Sequence, residues 1–318
     1  MPVDIKMVVV LLFAVIVSFP VYTQPDIVNL YSDDNNQWRL VEEKDNSGKS
    51  LQFFFQVFDA ITIRKNPTTQ VGIAIERWTG NTFVLWLPEA VGTLWQQWNT
   101  KVAHQDFTAT KCGGLLWTYE GNPAGFIRTE LIPQRNSLLL ETQITNRSPQ
   151  ELVKLYVQNC LHFSKAPDFI CDDFSRIYLR TKNEWHFLSS LKPTTSFPRY
   201  YREGYPSRGR IDPTEHDFGD IRQDASLDYP LIVLVSKDGT RAVGVASEDY
   251  EFLFHNPMEY LRCIHSESGC PPSLPPWKTV TFRQKVYFVE GGLVDCVAAF
   301  EKDIVGEPTK SFSFIKQF

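Results

Sequence analysis

The longest unbroken apolar run in this 318-residue sequence is Met7–Val17, eleven residues. That is short of the ~20 residues a helix needs to cross a bilayer. An excess of one charge is also missing. With 32 basic against 37 acidic residues and a net charge of −5, no broad basic face is expected, and no nucleic-acid partner is implied. None of the six cysteines (Cys112, Cys160, Cys171, Cys263, Cys270 and Cys296) falls in a CxxC or other zinc-type spacing. Spacing along the chain therefore implies no metal, and no motif calls for a cofactor. No internal repeat is visible, which argues against a propeller or solenoid. Methionine is scarce, at 3 residues, beside 23 Phe, 12 Tyr and 8 Trp. That balance leans toward sheet and toward surfaces that stack on sugars. A 43% hydrophobic content excludes a disordered polymer.

The amino terminus has the pattern of an export signal. Lys6 precedes the apolar run, Pro20 breaks any helix, and Val21-Tyr22-Thr23 offers a cleavage site before Gln24. Residues 1–23 are expected to be removed, leaving 24–318 as one domain that works outside the cytoplasm, secreted or periplasmic, with no membrane span. Export permits disulfides. A chain this long does not need them, so most cysteines are expected as buried thiols, with Cys263–Cys270 the one local bridge anticipated.

Runs of strand length recur from Leu51–Phe58 to Val280–Val289, separated by Gly, Pro, Asn, Asp and Ser clusters. Arg135-Asn136-Ser137 sits between two of them and predicts a hairpin over Phe126–Thr145. Helical periodicity is confined to Glu89–Val102 and Leu293–Asp303. The class read from this pattern is all-β, a large sandwich. One stretch, 192–229, has little periodicity and reads as a long functional loop. It carries Arg199, Tyr201, Arg202, Tyr205 and Arg208, residue types that line binding surfaces and clamp carboxylates or sulfates.

Two segments place histidine where acid–base chemistry needs it. In Val153–Phe163 strand alternation puts Gln158, Cys160 and His162 on the face opposite Val157, Leu161 and Phe163. That face is expected to look onto solvent or a cleft. In Glu259–Ser266 alternation groups His265 with Leu261 and Cys263, and leaves Arg262 as the competing cleft-facing residue.

These segments resemble the galactose mutarotase (aldose 1-epimerase) superfamily. Gln158-Asn159-Cys160-Leu161-His162-Phe163 is similar to the Asn-His-x-x-Phe type motif that bears the family's catalytic histidine. Cys263-Ile264-His265-Ser266, the prolines of 271–276 and Val286-Tyr287-Phe288 follow the order of its closing strands. The resemblance implies a galactose mutarotase-like β-supersandwich with few short helices, binding a sugar or polysaccharide across a concave sheet. It places His265 where the family has a base Glu. The expected site is then His162 as general acid, His265 as base and Tyr201 as a further catalytic group. Gln158, Arg199, Arg202, Tyr205, Arg208 and Arg262 would hold the substrate, with Trp95, Trp98, Trp117 and Trp185 as stacking surfaces. Two alternatives stay open: a polysaccharide lyase that cleaves a uronate glycan by β-elimination, and a non-catalytic carbohydrate-binding module. Oligomeric state is unmarked in the sequence.

Overall fold

The computed structural model describes residues 29–31, 37–44, 50–59, 71–93, 97–98, 107–109, 115–122, 125–191, 199–203, 221–256, 262–269 and 273–305. The sequence alternation resolves into strands separated by short turns. Through the first half these are β1 (Asn29–Tyr31), β2 (Gln37–Lys44), β3 (Ser50–Asp59), β4 (Val71–Trp78), β5 (Asn81–Gly92), β6 (Gln97–Trp98), β7 (Phe107–Ala109), β8 (Leu115–Asn122), β9 (Gly125–Gln134), β10 (Ser137–Asn146) and β11 (Leu152–Val153). The second half runs β12 (Tyr156–Lys165), β13 (Ile177–Thr181), β14 (Glu184–Phe187), β15 (Arg199–Arg202), β16 (Ile221–Leu227), β17 (Leu231–Val235), β18 (Arg241–Ser247), β19 (Tyr250–Asn256), β20 (Cys263–Gly269), β21 (Ser273–Leu274) and β22 (Thr279–Glu290), closing with helix α1 (Leu293–Val305). The expected hairpin forms with its turn at Arg135-Asn136, pairing Phe126 with Thr145.

Two expectations are corrected. The helix anticipated over Glu89–Val102 is strand through Gly92 and again at Gln97–Trp98. Pairing of β5 with β4 and β12 overrides a weak local helical preference. The long loop anticipated over 192–229 contains β15 and β16, which pair in parallel. β15 also pairs antiparallel with β19.

Twenty of the strands join into one sheet that folds over on itself. One half runs β4-β5-β12-β20-β19-β15 by direct pairing. The other runs β13-β17-β18-β22-β10-β9-β8. Between them lies a buried layer to which the first half contributes Phe83, Leu85, Leu161, Leu253 and Ile264, and the second Leu138, Leu140, Leu234, Val243, Val245, Val286 and Phe288. The all-β sandwich expected from the sequence is what the chain adopts. One polar knot crosses the layer: Gln284 Nε2 donates to Ser247 Oγ (2.9 Å), the Ser266 carbonyl (2.9 Å) and Ser268 Oγ (3.1 Å).

Alternation gives each half a second face. On the outer face of β17-β18-β22, Leu231, Val233, Ala242, Ala246, Tyr287 and Val289 are covered by α1 through Cys296 and Phe300. Gly244 is where the helix comes closest. A Cβ there would stand 2.7 Å from Cys296 Sγ and 3.0 Å from Leu231 Cδ1. Gly244→Ala must push α1 outward, and a loss of about 1–3 kcal/mol is expected in urea unfolding. Unchanged stability would mean that α1 is not seated against β18.

Candidate functional site

The outer face of the first half is built differently from the face under α1. Pairing sets Cys160 opposite His265, His162 opposite Cys263 and Gln158 opposite Glu267 on β12 and β20. Next to them, β5 brings Trp86 opposite Cys160, and β19 brings Phe254 opposite His265 and Phe252 opposite Glu267. Beyond β19, Arg199 of β15 sits opposite Phe254 and Tyr201 opposite Phe252. Because side chains alternate, these residues share one face. Glu89 joins them from β5 past a register shift between Gln158 and Cys160. The face is thus a band of ionisable and aromatic groups, with apolar residues of the same strands turned inward.

His265 is fully buried and lies at the centre of this band. Its ring stacks on Phe254, with centroids 3.9 Å apart and planes 16° from parallel. Glu89 Oε2 sits 3.1 Å from its Nε2, and Gln158 Nε2 donates to the same carboxylate oxygen at 2.7 Å. Burial opposes a charge on the imidazole, but the neighbouring Cys263 sulfur and the Glu89 carboxylate outweigh it and raise the pKa above the ordinary value. Burial likewise opposes a thiolate at Cys263. The hydrogen bond with Cys160 and the positive charge of His265 outweigh that and lower its pKa. Two buried groups of opposite charge stabilise each other in this way. Asn256 Nδ2 donates to Cys263 Sγ at 3.4 Å.

Several expected site residues meet on this face: Gln158, His162, Arg199, Tyr201 and His265. His162 is buried at 2% exposure rather than open to solvent, and its Nδ1 accepts from the Ser164 amide at 3.4 Å. His265, expected as the base, is likewise fully buried rather than open at a strand end. Arg199 lies 5.0 Å from the Phe252 ring and 5.8 Å from that of Phe254, a cation–π arrangement. Tyr201 stands 5.1 Å from Phe252.

Other expected residues are not brought to it. Arg262 is engaged by Asp172, with Nε to Oδ1 at 2.6 Å and Nη2 to Oδ2 at 2.9 Å. Arg202 ends β15 exposed, with its guanidinium 5.8 Å from the Tyr250 ring. Trp117 is buried in a separate apolar cluster against Tyr119, and Trp185 packs on Tyr229. Tyr205, Arg208, Trp95, the Trp98 side chain and residues 1–23, expected as an export signal, lie outside the described residues. Cys263 is buried at the head of the seven-residue strand β20, and Cys270, its anticipated bridging partner, lies outside the described residues. Cys160, Cys171 and Cys296 are likewise buried and in no disulfide.

Two carboxylates were missed. Glu267 follows His265 by two residues, so strict alternation along Cys263-Ile264-His265-Ser266-Glu267 would have put it on the same face. Glu89 was read as helical and so had no face assigned to it.

The class this defines is an all-β sandwich that carries a buried band of histidine, thiol, carboxylate and aromatic groups on one outer face. No family model matches the chain, and no curated protein matches it by sequence. Several solved structures are similar to it at low identity. A galactose mutarotase related enzyme from Lactobacillus acidophilus is 10% identical with a TM-score of 0.45, over 80% of this chain and 98% of its own. A galactose mutarotase-like protein from Lactobacillus casei is 10% identical with a TM-score of 0.43, over 79% of this chain and 100% of its own. An aldose epimerase homologue from C. elegans is 8% identical with a TM-score of 0.36, over 84% of this chain and 99% of its own.

Proposed function

We propose that this chain is an exported carbohydrate-handling protein of mutarotase-like fold that holds a sugar against the β5-β12-β20-β19-β15 face. The observation that carries the reading is the composition of that face. Gln158, Arg199 and Glu267 are hydrogen-bonding groups of the kind ring hydroxyls need, and Trp86, Tyr201, Phe252 and Phe254 are aromatic residues beside them on the same face. Sugars present both a hydroxyl edge and an apolar C–H face, so a site for them needs both kinds of group. His162 is the imidazole on this face suited to proton transfer at an anomeric oxygen. Arg199 also admits an anionic sugar, which keeps uronates among the substrates to be tried.

The test is titration of the full chain with galactose, glucose, galacturonate and short uronate oligomers, followed by calorimetry and Trp fluorescence. Saturable binding to at least one is expected, weakened about tenfold or more by Glu267→Gln or Arg199→Ala, as suits loss of one charge-assisted hydrogen bond of ~1.5–3 kcal/mol. Absence of binding across the set, or binding unaffected by both changes in folded protein, would overturn the reading. Unsaturated product from the uronate oligomers would assign the face to β-elimination.

A further inference from the structure

We infer that Cys160, Cys263 and His265 form a binding site for a zinc-class divalent ion. Their sulfur and nitrogen donors all lie within 4.8 Å of one another, and all three residues are buried. The cluster is made by register: with Cys160 opposite His265 and His162 opposite Cys263 on β12 and β20, the three side chains surround one point on the sheet face. Around a tetrahedral zinc, donors at ~2.0–2.3 Å from the metal stand roughly 3.3–3.8 Å apart. The observed spread therefore needs to close by about 1 Å, within reach of small χ rotations.

The donor chemistry also fits. Two thiolates and an imidazole are the soft and borderline ligands that zinc selects over calcium or magnesium. Glu89, 3.1 Å from His265 Nε2, stands where an orienting carboxylate stands in carboxylate–histidine–metal arrangements, and leaves Nδ1 as the nitrogen for the ion. Gln158 fixes that carboxylate in turn. On binding, the ion takes the sulfur lone pairs of two thiolates and the nitrogen lone pair of a neutral imidazole, and the protons these groups carried pass to solvent. Three protein donors leave the fourth place to a water or a ligand oxygen. Chain spacing gave no sign of this, because the donors come from strands about a hundred residues apart and meet only through pairing.

The site shares its face with the proposed sugar, but the ion does not depend on a sugar being bound there. Full-length protein from zinc-supplemented culture is examined by elemental analysis and zinc-edge X-ray absorption. About one zinc per chain is expected, with two sulfurs at ~2.3 Å and nitrogen or oxygen at ~2.0–2.1 Å. Cys160→Ala and Cys263→Ala should abolish the zinc, while Cys171→Ala and Cys296→Ala retain it. If the first two variants misfold, the sulfur shell of the wild-type protein decides alone. Metal-free wild-type protein, a shell without sulfur, or a Cys160–Cys263 disulfide found by mass spectrometry would overturn the inference. Sugar titration of the same preparation separates the two readings: binding without zinc defeats only the metal site, and zinc without binding defeats only the carbohydrate reading.

Discussion

Phe83→Ala should lower unfolding free energy by about 3–5 kcal/mol, the range for truncating a fully buried aromatic residue. Phe83 is wholly inaccessible and lies within 5.0 Å of the Phe169 ring, 5.4 Å of Phe288 and 6.3 Å of Trp78, centroid to centroid. Phe169 in turn stacks on Trp78 at 5.4 Å. The ring thus joins β5, β22 and the short 3-10 turn Pro167–Phe169. Four rings wedged together can relax little into the space left by one, so both the transfer and the cavity contributions are felt. Equilibrium urea unfolding checks this, and a loss below about 1 kcal/mol would mean that the cluster does not clamp the two halves of the sheet.

The second large effect is a dependence on acid. His255 is buried at 1% exposure, and neither ring nitrogen has a hydrogen-bond partner among the described residues. Its ring meets Phe174 edge-on at 4.5 Å. Burial, helped by the positive charge of His265, lowers its pKa from 6.5 to about 3. The unfolded chain therefore takes up a proton near pH 6.5 that the folded chain refuses until about pH 3. Stability is then full above pH 6.5 and falls as the pH drops between these values, by about 1.4 kcal/mol per pH unit from this residue. Urea midpoints at pH 7, 5.5 and 4 should show that slope, and His255→Leu should flatten it by that amount relative to wild type. Parallel slopes in the two proteins would refute the assignment.

Most of the architecture was legible because strand alternation and turn residues act locally. The Arg135-Asn136 turn, the β9–β10 hairpin and α1 are each set by residues within a few positions of one another. What escaped was non-local. Alternation assigned His162 to a face but could not say that this face would be buried. Glu89 and Gln158 are bonded across 69 residues of chain, and no short-range pattern announces such a partner. The Arg/Tyr stretch was misread for the same reason. Four residues, Arg199–Arg202, have no visible period, and they become strand only because β19 and β16 offer them ladders.

The pairing of β12 with β20 and of β10 with β22 also governs how quickly the molecule is made. Tyr156 must find Gly269, and Ser137 must find Tyr287, so each zipping step closes a loop of more than a hundred residues before any ladder bond rewards it. Chains dominated by such contacts fold toward the slow end of the single-domain range. During synthesis β12 and β10 emerge long before β20 and β22, and the edges that will receive those strands wait unpaired. A nascent chain that stalls before residue 263 therefore exposes unpaired strand edges and no site, which makes the strands β20 and β22 the segment on which escape from aggregation depends.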